Sequence, residues 1–317
     1  MEVRYEVKIV VTGGSGFIGT HLIERWVEEG ADVHALDLWQ SPAMRSLVRS
    51  GRVTFHEGDL RDASVLKRLF QGAELVYHLG SILGTSESIE LFDPVEVAYT
   101  NVVGTARVLA TAKEVGVRRV LYPSTPDVPW LNPYKITKQA AEKLCLMYHK
   151  EFGLETVVLK LTNVYGPRER WLDDPAGAPF NYQKVVPTFI VHALKGLPLP
   201  VFGNGRQTAE YVYVTDVARA FHLAGVAPAE RVAGEVIPIG TGEGVQVIEL
   251  ARKIKQLTGT DSPIQFLPLR RGETYVTISV DPEIAWQKLG FRAEVDLEEG
   301  LNRCLPYYRE AIRWEKA

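Results

Sequence analysis

Residues 8–21 read KIVVTGGSGFIGTH, and this stretch restricts the fold more than any other. The β-branched run Ile9-Val10-Val11 predicts a buried strand. It breaks at Thr12 into Gly13-Gly14-Ser15-Gly16, after which Phe17, Ile18, Leu22, Ile23, Trp26 and Val27 recur at helical spacing. Gly13, Gly16 and Gly19 therefore lie in a strand–turn–helix context at G-x-x-G-x-x-G. The first permits the tight turn, the second lets a pyrophosphate approach bare backbone, and the third lets the helix pack against its strand. Unpaired amides at the helix start then face the phosphates, aided by the helix dipole.

A second strand over residues 33–37, VHALD, ends in Asp37. An acid about 20 residues beyond such glycines accepts hydrogen bonds from the adenosine ribose hydroxyls and repels a 2′-phosphate. The spacing therefore predicts NAD rather than NADP, and no Arg or Lys follows before Arg45.

Further strands are predicted at residues 53–56, 75–79, 117–123 and 156–161, with helical patterns at 94–115 and from 133. Strands alternating with helices imply a doubly wound parallel α/β sheet, whose ligand crevice lies beyond the carboxyl ends of the strands. Residues 163–207 turn Gly- and Pro-rich, with an amphipathic segment at 186–194, and residues 210–224 read as a strand and helix returning to the first unit. The expected division is a dinucleotide-binding domain over 1–164 with 210–234, and a smaller, discontinuous substrate domain over 165–209 and 235–317. His78 reads as a packed histidine, and Asp59 as an adenine contact or the N-cap of a helix near Ala63.

A net charge of −3 without a basic block gives nucleic acid no natural purchase, and no apolar run approaches membrane-spanning length. The charged N-terminus runs straight into the first strand, which predicts no signal peptide. Cys145 and Cys304 lie far apart without metal-ligand spacing, so inert thiols in a reducing cytoplasm, and no metal, are expected.

Tyr134 and Lys138 stand i, i+4 at a helix start and project onto one face. A phenol ionises near pH 10, and bringing that to about 7 takes about 4 kcal/mol. A nearby ammonium and a cationic nicotinamide ring supply this in a dry cleft. With Thr125 at the end of the neighbouring strand, the set makes a device for oxidising a hydroxyl to a carbonyl. The tyrosinate takes the O–H proton while hydride goes to NAD.

In TGGSGFIG, GDLRD, NVVGT, YKITK, NVYGPR and YVYVTDVARA, together with LGF followed by LEEGL, the chain resembles the extended short-chain dehydrogenases/reductases. Within them it is similar to the NAD-dependent nucleotide-sugar epimerases and dehydratases, along nearly its whole length. The resemblance implies Thr125, Tyr134 and Lys138 as catalytic residues. Around NAD it implies Gly13, Gly16, Phe17, Ile18, Gly19 and Asp37, then Asp59, Leu60, Leu79, Asn101, Tyr134 and Lys138. Toward the nucleotide diphosphate of the sugar it implies Asn163, Val186, Arg206 and Arg270.

Three departures from the family pattern stand out. The segment between Thr125 and Tyr134 is short, Ala209-Glu210 replaces the usual Arg-Asp, and Pro126-Asp127 replaces the dehydratases' Asp-Glu. The expected activity is 4-epimerisation of a UDP-hexose by a homodimer, whose contacts would include Val102, Val108, Leu109, Leu144, Met147 and Tyr148. The alternatives are a decarboxylase, with Asp127 as an extra acid or base, a dehydratase or a C4-reductase. A non-catalytic NAD-binding regulatory protein is the alternative of a different class.

Overall fold

A computed structural model describes residues 7–170 and 184–314. Strands β1 (Lys8–Thr12), β2 (Asp32–Asp37), β3 (Val53–Glu57), β4 (Leu75–His78), β5 (Arg119–Ser124) and β6 (Glu155–Leu161) lie parallel in one sheet. Three further strands follow outside it: β7 (Asn163–Tyr165), β8 (Leu199–Phe202) and β9 (Thr208–Tyr213). β10 (Val236–Ile239) returns to the large sheet alongside β6, giving the order β10-β6-β5-β4-β1-β2-β3. The sheet is a Rossmann-like, doubly wound α/β fold, with the order reversing beside β1.

Helices on both faces explain why the strands read as unbroken apolar runs. Ile9 and Val11 enter the core beneath the helices Phe17–Glu28 and Val214–Val226, while Val10 faces the opposite core with Leu66, Phe70 and Val108. A third core joins the helices Val185–Lys195, Val247–Thr258 and Leu297–Trp314 to two small sheets. In these, β11 (Gly244–Gln246) pairs with β9, which also pairs β7, and β12 (Ile264–Leu267) pairs with β8.

The structure divides the chain differently from the sequence-based expectation in two places. Val236–Ile239, expected in the substrate unit, is a strand of the large sheet, and Ala285, Leu289 and Phe291 pack into that sheet's core. The strand expected at the start of 210–224 is Thr208–Tyr213, which pairs within a small sheet, while its Val212 and the helix after it pack into the first domain's core. A short apolar strand carries its period in the sequence but not the identity of its partner.

The helical pattern over 94–115 is one continuous rod with a π-helical turn at Tyr99–Gly104. At that turn the Asn101 side chain accepts from Ile82 N–H and donates to Ile82 C=O, both at 2.8 Å, and also donates to Thr137 Oγ1. Among the described residues no helix is long and apolar enough to cross a membrane.

Candidate active site

The carboxyl ends of β1, β2, β4, β5 and β6 open onto one cavity of about 650 Å³. At its floor Gly13 takes φ 69°, and a Cβ there would lie 2.6 Å from Gly80 N. A Cβ on Gly19 would lie 2.5 Å from Gly13 O, so the helix can touch its own turn only as glycine. The helix Phe17–Glu28 starts at Gly16 with no side-chain cap, leaving its first-turn amides open to an anion. Ser15 Oγ is buried at the same place without a hydrogen-bond partner.

Asp37 accepts from Ser15 N–H at 3.0 Å and Leu38 N–H at 2.8 Å. Burial pushes its carboxyl up to about 6, against the opposing pull of those bonds and of Arg170. That guanidinium arrives from a distant loop and lies 4.6 Å from the Trp39 ring centre. The absence of cations near Asp37 in the sequence is therefore not preserved in space.

Asp59 and Leu60 line the next wall. Burial pushes the Asp59 carboxyl up, but hydrogen bonds from Arg61, 2.7–3.0 Å long, leave it below the usual carboxylate range. The N-cap of the helix Ala63–Phe70 is Asp62, not Asp59. Leu79, Phe17 and Ile18 also line the cavity. Asn101 is not among the lining residues; its amide buttresses the Ile82 wall from behind. His78 is enclosed between Thr12 Oγ1 (2.8 Å) and Thr105 Oγ1 (2.9 Å), and burial draws it down to about 3, so it is a neutral strut.

Thr125, Tyr134 and Lys138 share the wall beyond β5. The helix Pro133–Phe152 starts with Pro133 at its first position and the Asn132 side chain accepting from Lys135 N–H at 2.8 Å. Lys138 is buried, its ammonium 3.9 Å from the Tyr122 ring centre, and it has no hydrogen-bond partner among the described residues. Burial draws it down to about 7. Beside it the Cys145 thiol is pushed up to about 12 by burial, which leaves it inert.

A second lysine joins this wall. Lys135 is 2% exposed, and its ammonium donates to Thr125 Oγ1 at 3.1 Å and to the Pro126 carbonyl. Asp127, expected as an extra acid or base, is not on the cavity wall. Its side chain is 72% exposed and ion-paired to Lys160 at 2.8 Å.

Of the expected substrate residues, Asn163 and Val186 line the cavity and the two arginines do not. Arg206 borders a separate shallow depression with Phe266 and Tyr275. Arg270 is held by Glu273 (Nε–Oε1 3.0 Å) and Glu87 (3.5 Å) over the Phe202 ring. Glu210, in the departure Ala209-Glu210, is fully buried and accepts the N–H groups of Thr241, Gly242 and Val280 at 2.6–3.1 Å. It staples loops together.

The model of the NAD dependent epimerase/dehydratase family matches residues 9–240. The chain belongs to this family. It is 31% identical to a UDP-glucose 4-epimerase of Mycolicibacterium smegmatis, over 96% of this chain and 99% of that one. It is 30% identical to UDP-glucuronic acid decarboxylase 1 of Xenopus tropicalis, over 96% of this chain and 73% of that one. A solved UDP-glucose 4-epimerase of Thermotoga maritima with UDP-glucose superposes at TM-score 0.85 and 31% identity, covering 96% and 100%.

The cofactor of the family member described here is NAD. Open first-turn amides, the unpartnered Ser15 hydroxyl and the unpartnered Lys138 ammonium fit its pyrophosphate and ribose hydroxyls, and Asp37 offers an acceptor. The sequence reading passed over Ser15 and Lys135. A hydroxyl inside the glycine turn marks the first. The second lies roughly 60° around the helix from Lys138, on the same half of the rod. Nothing in the sequence signals Arg170, which only the fold brings to Asp37. Among the described residues no cluster of His, Cys, Asp or Glu is arranged to hold a metal.

Proposed function

We propose that this enzyme is a nucleotide-sugar 4-epimerase acting on a UDP-hexose. The observation that supports it is that Thr125, Tyr134 and Lys138 line the same cavity as the open glycine turn. Bound NAD supplies the hydride acceptor and, on the return, its donor. The Tyr134 phenolic oxygen takes the proton of the C4 hydroxyl and later gives it back, with the Thr125 hydroxyl on the same substrate oxygen. Lys138 sits near its midpoint at neutral pH, so ribose hydroxyls accepting from its Nζ shift it toward the ammonium. That charge then favours the tyrosinate.

The residues that follow Thr125 in the chain and line the cavity, Pro126, Val128, Trp130 and Lys135, include no carboxylate. Dehydration needs an acid and a base there, so this wall favours chemistry confined to C4. One observation favours a second reading, decarboxylation of a uronic acid: the Lys135 ammonium has no carboxylate within ion-pair range among the described residues.

Incubation with UDP-, dTDP-, GDP- and CDP-sugars, products resolved by chromatography, tests both readings. A hexose epimer is expected; a pentose product would favour the second, and no turnover of any sugar would favour a binding protein.

The assembly we propose is a homodimer through the helices around Pro94–Val115 and Pro133–Phe152. Val108 and Leu109 prove to be buried in the chain's own core, so the contact would instead use Val95, Tyr99, Val103 and Phe152, which are exposed. A monomeric mass by light scattering at micromolar concentration would contradict it.

A further inference from the structure

We propose that Lys135 is a positioning residue for the reaction: its ammonium, set behind Thr125, locks the threonine hydroxyl as a hydrogen-bond donor toward the substrate oxygen. The inference rests on the reading of Thr125, Tyr134 and Lys138 given above.

A hydroxyl has one proton to give and two lone pairs, whereas an ammonium can only donate. Nζ of Lys135 donates to Thr125 Oγ1 at 3.1 Å, which occupies one of its lone pairs. Thr125 Oγ1 has no acceptor for its own proton among the described residues, and Thr125 lines the cavity. The proton is therefore left for whatever oxygen lies in the cavity.

Lys135 is built for this one orientation. Its backbone N–H is fixed by Asn132 Oδ1, its side chain is enclosed, and its ammonium is further fixed by the Pro126 carbonyl. Two carboxylates and one ammonium face it: Asp127 and Glu142 are both held by Lys160, and Glu142 also accepts from Ser124. Lys138 and Tyr134 complete the surroundings along the same helix. Burial pulls the Lys135 ammonium below the ordinary lysine range, with Asp127 and Glu142 opposing that pull and Lys160 adding to it.

The chemical consequence follows from the substrate oxygen. In the oxidation the C4–H bond breaks and hydride leaves with its electron pair to NAD, which is reduced. The O–H proton goes to the Tyr134 oxygen, and the C–O single bond becomes a carbonyl. That oxygen accepts from Thr125 throughout, and accepts most strongly while negative charge develops on it. A donor fixed in advance and polarised by a cation behind it stabilises that stage more than the resting alcohol. The same donor holds the carbonyl oxygen while hydride returns.

The test is steady-state kinetics of Lys135→Met, Lys135→Gln, Thr125→Ala and the double variant Thr125→Ala/Lys135→Met, on the nucleotide sugar that the panel identifies, with Tyr134→Phe alongside. Lys135→Met is expected to lower kcat by ~10- to 100-fold with KM within about threefold of wild type. Lys135→Gln, which keeps a neutral donor, should recover much of that loss. In the Thr125→Ala background the Met substitution should cost less than about threefold, because no hydroxyl remains to be held.

Equal losses in both backgrounds would overturn the proposal and leave Lys135 a structural tie to the Pro126 loop. A change in KM alone would also overturn it, and would point to direct contact with an acidic substrate group. Lys135→Met and Lys135→Gln with wild-type kcat would do the same. Retained turnover in Tyr134→Phe would remove the site reading itself and with it the role of Lys135. If Lys135→Met fails to fold, Lys135→Gln in the two backgrounds carries the same comparison.

Discussion

At the glycine turn the polar groups stand open: the first amides of the helix, the Ser15 hydroxyl and, elsewhere in the same cavity, the Lys138 ammonium lack hydrogen-bond partners among the described residues. On the substrate side the guanidinium of Arg270 already lies between two carboxylates, and Arg206 faces another depression. The two halves thus store their binding capacity differently. The dinucleotide half uses backbone amides, which no side-chain rearrangement can cancel. The substrate half uses long charged side chains, which find partners when nothing else is offered. A nucleotide diphosphate that used Arg270, as the family resemblance implies, would have to compete with Glu87 and Glu273, whereas NAD meets groups already open.

The largest effect expected is from Tyr134→Phe, which separates chemistry from cofactor binding. Turnover should fall ~100-fold or more while NAD still copurifies, since in the proposed mechanism the phenolic oxygen takes the proton and remote amides hold the phosphates. Assay of turnover beside chromatography of the denatured supernatant reads both, and activity within about threefold of wild type would be incompatible with the mechanism.

Gly13→Ala attacks the open half directly. The positive φ and the 2.6 Å approach to Gly80 N leave no room for a methyl group, so a strain of order 1–3 kcal/mol is expected, with copurified NAD largely lost. Unchanged cofactor content and Tm would show that the turn is not the rigid cradle described here.

A smaller and more diagnostic effect comes from Asp37. With its carboxyl near 6, NAD retention should weaken as pH falls through about 6, because protonation removes the charge that accepts from ribose hydroxyls. The stability of the cofactor-free chain should respond in the opposite sense. The folded carboxyl is held above its unfolded value, so the folded state binds more protons between about pH 4 and 6, and this group lowers stability as pH rises through that window. Asp37→Asn should remove both dependences and weaken NAD by about tenfold. Equilibrium dialysis and thermal melts across pH read the two signs separately.

Asp127→Asn should do least, changing kcat by less than about twofold, because an exposed ion pair contributes little. A large loss of kcat in this variant would restore Asp127 as an acid or base and break the contrast between it and Lys135.

Much of this was legible in the sequence where a residue acts through its own neighbours in the chain. The glycine spacing, the strand-terminal Asp37 and the Tyr134–Lys138 pair are local patterns, and the structure brings them to one cavity. The proximity of Asp127 to Thr125 along the chain says nothing of its side-chain direction. The short loop turns it outward to Lys160 and leaves Lys135 inside. Asn101 stands in the NVVGT motif, yet it serves the wall rather than the cavity, through a π-helical turn that leaves no mark in hydrophobic period. The masses of apolar residues on the 94–115 rod looked like an interface, but Val108 and Leu109 were needed beneath the sheet.

By itself, then, the sequence determined the Rossmann-like unit, its glycine turn and the placing of Tyr134 and Lys138 on one helix face, because backbone conformation and helical spacing are set by nearest neighbours. The tertiary structure alone decided that Val236–Ile239 closes the large sheet, that Arg170 stands beside Asp37 and that Glu87 and Glu273 hold Arg270. It also decided that an ammonium backs Thr125. Apart from the Glu273–Arg270 and Lys135–Thr125 contacts, these pairings join residues far apart in the chain. The strand pairing depends on which sheet edge is left open and the charged contacts on which charges burial forces together, and both are fixed only when the whole chain has packed.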